Sequence, residues 1–233
     1  MPRRYPFPHL YNARDLGGYA SARGGETQWK RFIRCDSTQN LAPDEVRALL
    51  DLGVTDVVDL RGEIETAAGP SALRAAPGIR YVNIPLSVDP ASAGIAAEEA
   101  RTGEFYLLTA ENASAIRAIL AAVAGAEGIA LFHCTAGKDR TGIIAAVLLL
   151  LAGVCREDVV ADYMVSEWYI RPRMEAVRKS YPDMPAHFAR SRAAYMEDFL
   201  ERLLGKYASV EGYLSTMGVD AETIARLRAK LLG

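Results

Sequence analysis

The chain has 233 residues, of which half are apolar and about a quarter charged, and its 27 basic and 29 acidic side chains leave a net charge of −2. Without a basic excess, a protein has no overall field that attracts nucleic acid or an anionic membrane. The three cysteines, Cys35, Cys134 and Cys155, are too few for a disulfide framework and favour a reducing compartment. We therefore expect a globular protein in which any anion site is local.

The first residues include Arg3 and Arg4 but no following apolar run, so they do not resemble a Sec signal peptide. The longest apolar run, 143–152, is too short to span a bilayer. We expect no stable membrane insertion and no nucleic-acid partner. The expected location is cytoplasmic, or reached by export without a cleaved Sec signal peptide.

Turn signals and short apolar runs alternate in the first half of the chain. Glycine pairs indicate tight turns and short hairpins within residues 1–30. A helix is predicted to begin at Pro43, which suits the first helical position, and to end at Gly53. The β-branched run 54–60 predicts a buried strand, and 79–84 predicts another.

The second half is mostly helical. Residues 87–104 are rich in Ala, Ser and Gly without a clear period and are predicted to be a mobile connection. A helix over 112–124 precedes a third strand, Ile129–His133, and a helix over 141–151 that is apolar nearly all round and therefore central. Further helices are predicted over 156–166, 168–179, 192–206, 209–216 and 220–231.

The order of the elements predicts an α/β fold, because strands and helices come first and helices alone follow. We expect a central, mostly parallel sheet flanked by helices, with a helical C-terminal half. No repeat, low-complexity tract or linker divides the chain, so residues 1–233 are predicted to form one domain.

The strand–loop–helix segment 129–151 carries the strongest chemical signal. Its loop enters a helix N-terminus, where unpaired N–H groups and the helix dipole bind phosphate or sulfate. Cys134 begins the loop, and the positive field favours its thiolate, which is the nucleophilic form. Arg140 lies six residues on, and its planar fork can hold two phosphoryl oxygens. The pattern predicts a thiolate aimed at phosphorus and a cysteinyl-phosphate intermediate.

The residues around this pair are predicted to complete the site. Substrate contacts are expected from Arg140 and from the loop residues Thr135, Ala136, Gly137 and Lys138. The glycine allows a close backbone approach or a positive φ, and the lysine adds a cation for substrates with several phosphates. His133 is expected to fix the cysteine through the loop backbone, and Thr141 to donate its hydroxyl to the leaving sulfur.

The run His133-Cys-Thr-Ala-Gly-Lys-Asp-Arg-Thr-Gly142 resembles the phosphate loop of the protein tyrosine phosphatase superfamily. In full it is similar to a bacterial branch whose members also act on phosphoinositides. Four further motifs of that branch are matched: Asn12-x-Arg14-Asp15-Leu16-Gly17-Gly18, Asp59-Leu60-Arg61, Asp162-Tyr163 and Tyr207-x5-Tyr213-Leu214. The resemblance covers nearly the whole chain and implies a phosphatase-type fold.

The resemblance implies hydrolysis of a phosphate monoester without a metal or an organic cofactor. The implied partners are a phosphorylated protein or a phosphoinositide as substrate, with inorganic phosphate as product. Two rival functions use similar residues: an arsenate or sulfur-transfer enzyme, and a non-catalytic reader of phosphoproteins. Asp139 inside the loop disfavours the first rival, and the presence of both Cys134 and Arg140 disfavours the second.

The general acid has two candidates. Asp139 lies in the loop, where the resemblance places the acid of this branch, whereas Asp89 would act from a separate mobile loop as in many phosphatases of the superfamily. We favour Asp139 because its position is tied to that of the substrate phosphate. The remaining alternative is that Asp139 only caps the following helix.

Other residues are assigned structural roles. Asp59 and Arg61 end a strand and are expected to support the phosphate loop, and Arg14 and Asp15 are read as scaffold. Cys35 is read as a structural thiol, with a redox partnership to Cys134 as the alternative. The arginines predicted to be solvated charge are Arg3, Arg4, Arg171 and Arg173.

Overall fold

The computed structural model describes residues 2–88, 94–95 and 98–233 of the chain. In chain order its strands are β1 (Arg14–Asp15), β2 (Phe32–Cys35), β3 (Val54–Asp59), β4 (Arg80–Asn83) and β5 (Ile129–His133). They form one sheet in the order β1-β2-β5-β3-β4. β1 is antiparallel to β2 and the other neighbours are parallel, which confirms the predicted, mostly parallel sheet.

The register of the three central strands determines where the functional loop lies. Cys35 at the end of β2 and Asp59 at the end of β3 both pair with His133 at the end of β5. Because parallel strands end at the same edge of a sheet, the segments that follow these residues begin side by side. The loop after β5 is therefore enclosed by the ends of its two neighbours.

Helices cover both faces of the sheet and make up the C-terminal half. They are α1 (Pro43–Leu52), α2 (Glu63–Ala68), α3 (Thr102–Ala110), α4 (Ala113–Ala124), α5 (Asp139–Leu151), α6 (Arg156–Ser180), α7 (Ala193–Tyr207), α8 (Val210–Thr216) and α9 (Ala221–Leu232). Within the described ranges, no single helix combines the length and the apolarity needed to cross a bilayer. The two stretches from Glu99 to Ala110 and from Ala113 to Ala124, bent by 72°, reach that length and composition only as a pair.

Apolar side chains pack on both faces of the sheet. On one face a large apolar cluster surrounds α5. Ten of the 13 residues of α5 are buried, which confirms the predicted central helix. On the other face a smaller cluster joins Leu49 of α1 to Val57 of β3 and Leu131 of β5. The predicted α/β fold with a helical C-terminal half is confirmed.

One predicted break is wrong. The two helices expected over 156–166 and 168–179 are a single helix, α6, which continues through Pro172 to Ser180. A proline inside a helix removes one backbone hydrogen bond and strains the preceding turn. The buried residues of α6, from Val159 to Ile170, all precede Pro172, so packing fixes the helix up to the proline and the turns beyond it are mostly exposed.

The helices and strands that the sequence analysis missed are short or lack a clear hydrophobic periodicity. The buried residues of α3, Gly103, Tyr106, Thr109 and Ala110, lie on one face, but Phe105, Leu107 and Leu108 place apolar side chains on the rest of its surface, so no polar stripe marks it as a helix. α2 and β2 are short, and all four residues of β2 are buried. The connection predicted over 87–104 lies partly outside the described residues. The alternative acid candidate, Asp89, lies outside them.

Candidate active site

The phosphate loop, residues 134–140, runs from the end of β5 into the first turn of α5. Cys134 follows β5 directly and is 2% exposed, so the predicted nucleophile lies under the loop rather than on the surface. Asp139 is the first residue of α5, and Arg140 follows it. The strand end and the helix start thus bring together Cys134, Asp139 and Arg140, the three predicted catalytic residues.

The first half of the loop is held by the segment after β2 and by α6. The carbonyl of Thr135 accepts a hydrogen bond from the Ser37 N–H at 3.1 Å and another from Nη1 of Arg173 at 2.7 Å. Nη1 of Arg173 also lies 3.3 Å from a carboxylate oxygen of Asp36. The prediction that Arg173 is solvated charge is therefore wrong, because α6 passes over the loop and directs this side chain onto it.

The second half of the loop is held by two buried side chains from the start of the chain. Nδ2 of Asn12 donates to the carbonyls of Ala136 at 3.1 Å and Gly137 at 2.9 Å. Nη2 of Arg34 donates to the same Gly137 carbonyl at 2.7 Å. Both donors approach from outside the loop, so these carbonyls point away from its centre.

The loop amides are left available for an anion. In the part of the chain that the structure describes, the N–H groups of residues 135–140 donate to no protein acceptor. Successive free N–H groups in a turn form an anion-binding concavity, and the dipole of α5 adds to its positive potential. The geometry fits a tetrahedral oxyanion above Cys134.

Gly137 has a conformation that requires glycine. Its φ is +65°, in the left-handed region. A Cβ atom at this position would lie 2.4 Å from the carbonyl oxygen of Cys35. The glycine therefore allows the loop to pack directly on the end of β2.

A buried carboxylate joins the two arginines that stand behind the loop. Asp162 of α6 accepts hydrogen bonds from Nε of Arg14 at 2.8 Å, from Nη1 of Arg34 at 2.5 Å and from the Tyr19 hydroxyl at 3.0 Å. Nη1 of Arg14 in turn donates to Oδ1 of Asn12 at 2.6 Å. Burial alone raises the pKa of Asp162, but Arg14 and Arg34 outweigh it and hold that pKa well below its usual range.

Asp59 and Arg61 lie behind the loop and do not reach its concave side. Nε and Nη2 of Arg61 donate to the Asp59 carboxylate at 2.9 and 2.6 Å, and Nη1 donates to the Gly69 carbonyl at 2.8 Å. Both side chains are buried. They fix the segment between β3 and α2 and so help to place α2, which contributes Glu65 to the site.

His133 connects this support to the loop backbone. Its Nδ1 lies 3.1 Å from the Cys134 carbonyl, and its Nε2 lies 3.3 Å from the Thr38 hydroxyl and 3.6 Å from Asp59. Burial lowers the pKa of His133, although the Asp59 carboxylate opposes this effect. A neutral ring with the proton on Nδ1 donates to the carbonyl and accepts from the threonine.

Glu65 of α2 holds the guanidinium of Arg140. Nη1 and Nη2 donate to Oε2 and Oε1 of Glu65, each at 2.7 Å, and the Thr135 hydroxyl donates to Oε1 as well. Burial raises the pKa of Glu65, but the hydrogen bonds from Arg140 and Thr135 outweigh it and lower that pKa to about 2. Because Glu65 takes the Nη1–Nη2 edge, the Nε–Nη2 edge of Arg140 remains for a phosphoryl group.

A cleft of about 450 Å³ opens beside Asp139 and Arg140. Its apolar wall includes Leu86, Val88, Phe105 and Phe188. Asp139 lines this cleft and is 38% exposed, and it accepts a hydrogen bond from the Tyr106 hydroxyl. The N-cap residue of α5 is Lys138, and the hydrogen bond from Tyr106 is the only one that the Asp139 side chain makes among the described residues, so Asp139 accepts none from the backbone N–H groups of the helix start.

Lys138 is buried beside the cleft, beneath the wall segment that carries Phe188. Its Nζ donates to the carbonyls of Phe188 and Arg190, both at 2.8 Å, and lies 3.4 Å from Oδ1 of Asp139. The side chain is 3% exposed. Lys138 therefore ties the wall segment Ala186–Ala189 to the loop, and its predicted contact with substrate stays a prediction.

Thr141 stands in the first turn of α5 with its hydroxyl buried. Among the described residues this hydroxyl has no hydrogen-bond partner. A buried hydroxyl without a partner is costly unless another state of the protein uses it. Its predicted role as a donor to the leaving sulfur gives such a state.

Five residues of the site were missed, or noted only inside a motif, by the sequence analysis: Asn12, Arg34, Glu65, Tyr106 and Asp162. Of these, Asn12 and Asp162 lay in recognised motifs, and Glu65 follows Gly62 by three residues, a spacing that marks a helix start. Arg34 and Tyr106 carry no local signal. The described part of the chain contains no group of three or more His, Cys, Asp or Glu side chains arranged to hold a metal ion.

Replacing Gly137 by alanine is expected to displace the loop while leaving the rest of the fold intact. The added Cβ meets the Cys35 carbonyl, and a shift of about 1 Å in a catalytic loop costs on the order of 10²-fold in activity. The measurement is kcat/KM for an aryl phosphate. The control is Gly25→Ala, at φ +68° with no neighbouring atom within 4 Å of the added Cβ; an equal loss in both variants would contradict the close-contact argument.

Asp162→Asn is expected to lower the free energy of unfolding by about 3–5 kcal/mol, because it leaves two buried arginines without their counter-charge. Urea unfolding measures this change. The depressed pKa of Asp162 means that its stabilisation is present above about pH 4, the ordinary value, and is lost as the pH falls further.

The acid-induced loss of stability below about pH 4 should accordingly be smaller in Asp162→Asn than in the wild type. Asp198→Asn is the control, since its partner Arg202 is 43% exposed and a surface pair contributes less than about 1 kcal/mol. If Asp162→Asn and Asp198→Asn lowered the free energy of unfolding equally, the buried network would be ruled out as the anchor of the loop.

Comparison with known proteins by sequence shows the family of this chain. The sequence model of the tyrosine phosphatase family matches residues 5–233. A tyrosine-protein phosphatase of Nostoc commune is 30% identical over 217 residues, which are 86% of this chain and 74% of that protein. The triple specificity protein phosphatase PtpB of Mycobacterium tuberculosis is 26% identical, with 97% of this chain and 98% of PtpB covered. The crystal structure of P. aeruginosa TpbA aligns with a TM-score of 0.42 at 18% identity, over 80% and 86% of the two chains. Because the family model spans nearly the whole sequence, this chain belongs to the tyrosine phosphatase family.

Proposed function

We propose that residues 1–233 form one phosphatase domain that hydrolyses phosphotyrosine in proteins through a phosphorylated Cys134. The observation that carries this proposal is the state of the phosphate loop. Its carbonyls are bonded outwards by Asn12, Arg34 and Arg173, and the N–H groups of residues 135–140 have no protein acceptor within the described residues. Such a cradle places an anion above the sulfur without prior rearrangement.

In the first step the Cys134 thiolate attacks phosphorus and the bond to the leaving oxygen breaks. The loop amides and the Nε–Nη2 edge of Arg140 hold the three remaining phosphoryl oxygens. Asp139 gives its proton to the leaving oxygen, which departs as a phenol or an alcohol.

In the second step water attacks the cysteinyl phosphate. Asp139, now a carboxylate, takes a proton from this water, and inorganic phosphate leaves as the sulfur returns to the thiolate. The buried Thr141 hydroxyl is the donor assigned to the departing sulfur.

The walls of the cleft favour an aromatic leaving group. Phe105 and Phe188 line it beside Asp139, and an aromatic ring buries a large apolar area against such side chains. A phosphoinositide is the second candidate, since Lys138 places another cation next to Arg140. Two of the three N–H donors of this ammonium are bonded to the carbonyls of Phe188 and Arg190, so it offers little to additional phosphates, and we favour phosphotyrosine.

Cys134→Ser is expected to fold normally and to bind phosphate, yet to lose essentially all turnover. The hydroxyl keeps the shape of the thiol but is barely ionised at neutral pH. Turnover of p-nitrophenyl phosphate measures the loss, and titration with inorganic phosphate checks that the cradle is intact. Activity near that of the wild type would remove Cys134 as the nucleophile.

The same assay separates the rival functions. A phosphoprotein reader would bind phosphopeptide without turnover in the wild type, and an arsenate or sulfur-transfer enzyme would turn over its own substrate but not the aryl phosphate. A panel of phosphotyrosine peptides and phosphoinositides, run on the wild type, then ranks the two substrate classes.

Asp139→Asn is expected to lower kcat/KM for phenyl phosphate by about 10²–10⁴-fold, the usual contribution of a general acid. The loss should be much smaller with p-nitrophenyl phosphate, whose leaving group needs no proton. Its pH–rate profile should also lose the basic limb. Asp89→Asn is the matched variant and should stay close to the wild type; a reversal of the two results would assign the acid to Asp89.

A further inference from the structure

The side chain of Asp139 is held at one of its two oxygens. Oδ1 accepts the hydrogen bond from the Tyr106 hydroxyl and lies 3.4 Å from Nζ of Lys138. Oδ2 has no hydrogen-bond partner among the described residues, and the side chain lines the cleft. The two oxygens are therefore in different situations: one is fixed from within the protein, and the other is left to the substrate.

The donor that holds Oδ1 is itself fixed. Tyr106 of α3 is 1% exposed, and its hydroxyl lies 2.7 Å from that of Tyr163 in α6. Burial, together with the Asp139 carboxylate, raises the pKa of Tyr106 well above its usual range, so the phenol stays protonated. Because Tyr106 donates to Asp139, its own oxygen accepts the proton of Tyr163, and the two phenols form a chain of donors that ends on Oδ1.

We infer that Tyr106 is the positioning residue of the general acid, because it occupies Oδ1 and so leaves the transferable proton of Asp139 on Oδ2, at the cleft. This inference rests on the proposed function. When Oδ2 gives its proton to the leaving oxygen, Asp139 becomes a carboxylate, and the Tyr106 hydrogen bond stabilises that charge. In the second step the same Oδ2 recovers a proton from the attacking water, and Tyr106 keeps its own proton throughout.

The alternative is that Tyr106 only fills the core. Its ring makes edge contacts with Tyr163 and Phe199, at centroid distances of 6.0 and 6.2 Å. Tyr106→Phe keeps this ring and removes only the hydroxyl, so a packing role predicts little effect on chemistry. A role through Asp139 predicts an effect that depends on how much the leaving group needs a proton.

The test compares kcat/KM for phenyl phosphate and p-nitrophenyl phosphate, since this ratio of constants reports the steps up to release of the leaving group. In Tyr106→Phe we expect a loss of about tenfold with phenyl phosphate, a fraction of the general-acid contribution, and less than about twofold with p-nitrophenyl phosphate. Tyr163→Phe should also lower kcat/KM more for phenyl phosphate than for p-nitrophenyl phosphate, but by a smaller factor than Tyr106→Phe.

The matched control is Tyr213→Phe. Tyr213 is also fully buried, and its hydroxyl donates at 2.6 Å to the carbonyl of Ala110, at the end of the same helix α3. This variant loses a buried hydrogen bond to α3 but none to Asp139, so both substrates should be turned over as by the wild type. Thermal unfolding of both variants separates a loss of stability from a loss of acid catalysis.

A double variant distinguishes failure of this inference from failure of the proposed function. If Tyr106 acts through Asp139, Tyr106→Phe should cause no further loss with phenyl phosphate in the Asp139→Asn background. Should Asp139→Asn leave the dependence on leaving group unchanged, the acid assignment itself fails. In the other case, Asp139→Asn alters that dependence while Tyr106→Phe lowers kcat/KM equally for both substrates, or for neither of them. The assignment of Asp139 as the acid then stands, and the positioning role of Tyr106 is overturned.

Discussion

The site depends on one buried ion-pair network, in which the Asp162 carboxylate lies between Arg14 and Arg34. Two guanidinium groups behind a loop would repel each other and lose hydration, a cost that only a well-placed anion offsets. Burial and the neighbouring Arg14 lower the pKa of Arg34 to about 10 even so, although Asp162 opposes the effect. The network thus leaves both arginines charged and able to donate hydrogen bonds to groups beyond Asp162.

Those further hydrogen bonds shape the phosphate loop. Arg34 reaches the Gly137 carbonyl directly, and Arg14 acts through Asn12, whose amide reaches the carbonyls of Ala136 and Gly137. Each bond draws a carbonyl outwards and leaves the amides on the inner side of the turn. The cradle is therefore formed by residues that need not touch substrate, before any anion arrives, which is the condition for electrostatic preorganisation.

The sequence predicts those parts of this arrangement that are local. Strands β3 and β5, the loop between β5 and α5, and the roles expected of Cys134 and Arg140 follow from apolar runs, from Gly137 and from the helix start. The supports are long-range: Arg34 and Asp162 are 128 residues apart, Arg140 and Glu65 are 75 apart, and Tyr106 and Asp139 are 33 apart. A single sequence contains no signal that pairs such residues, because the pairing is decided by which strand ends and helix faces the fold brings together.

Two carboxylates beside an anion site pose an electrostatic problem that the fold resolves by fixing each of them. Glu65 accepts hydrogen bonds from the Gly62 N–H at 2.9 Å and from Thr135 as well as from Arg140, so it stays at the rim and keeps one edge of that arginine in place. Asp139 is held through Oδ1, on the side away from the substrate. A phosphate dianion approaching the loop meets the free amides, the helix dipole and the open edge of Arg140 at closer range than either carboxylate. Attraction therefore dominates at the sulfur, where the fixed amides and the edge of Arg140 need no rearrangement to receive the anion.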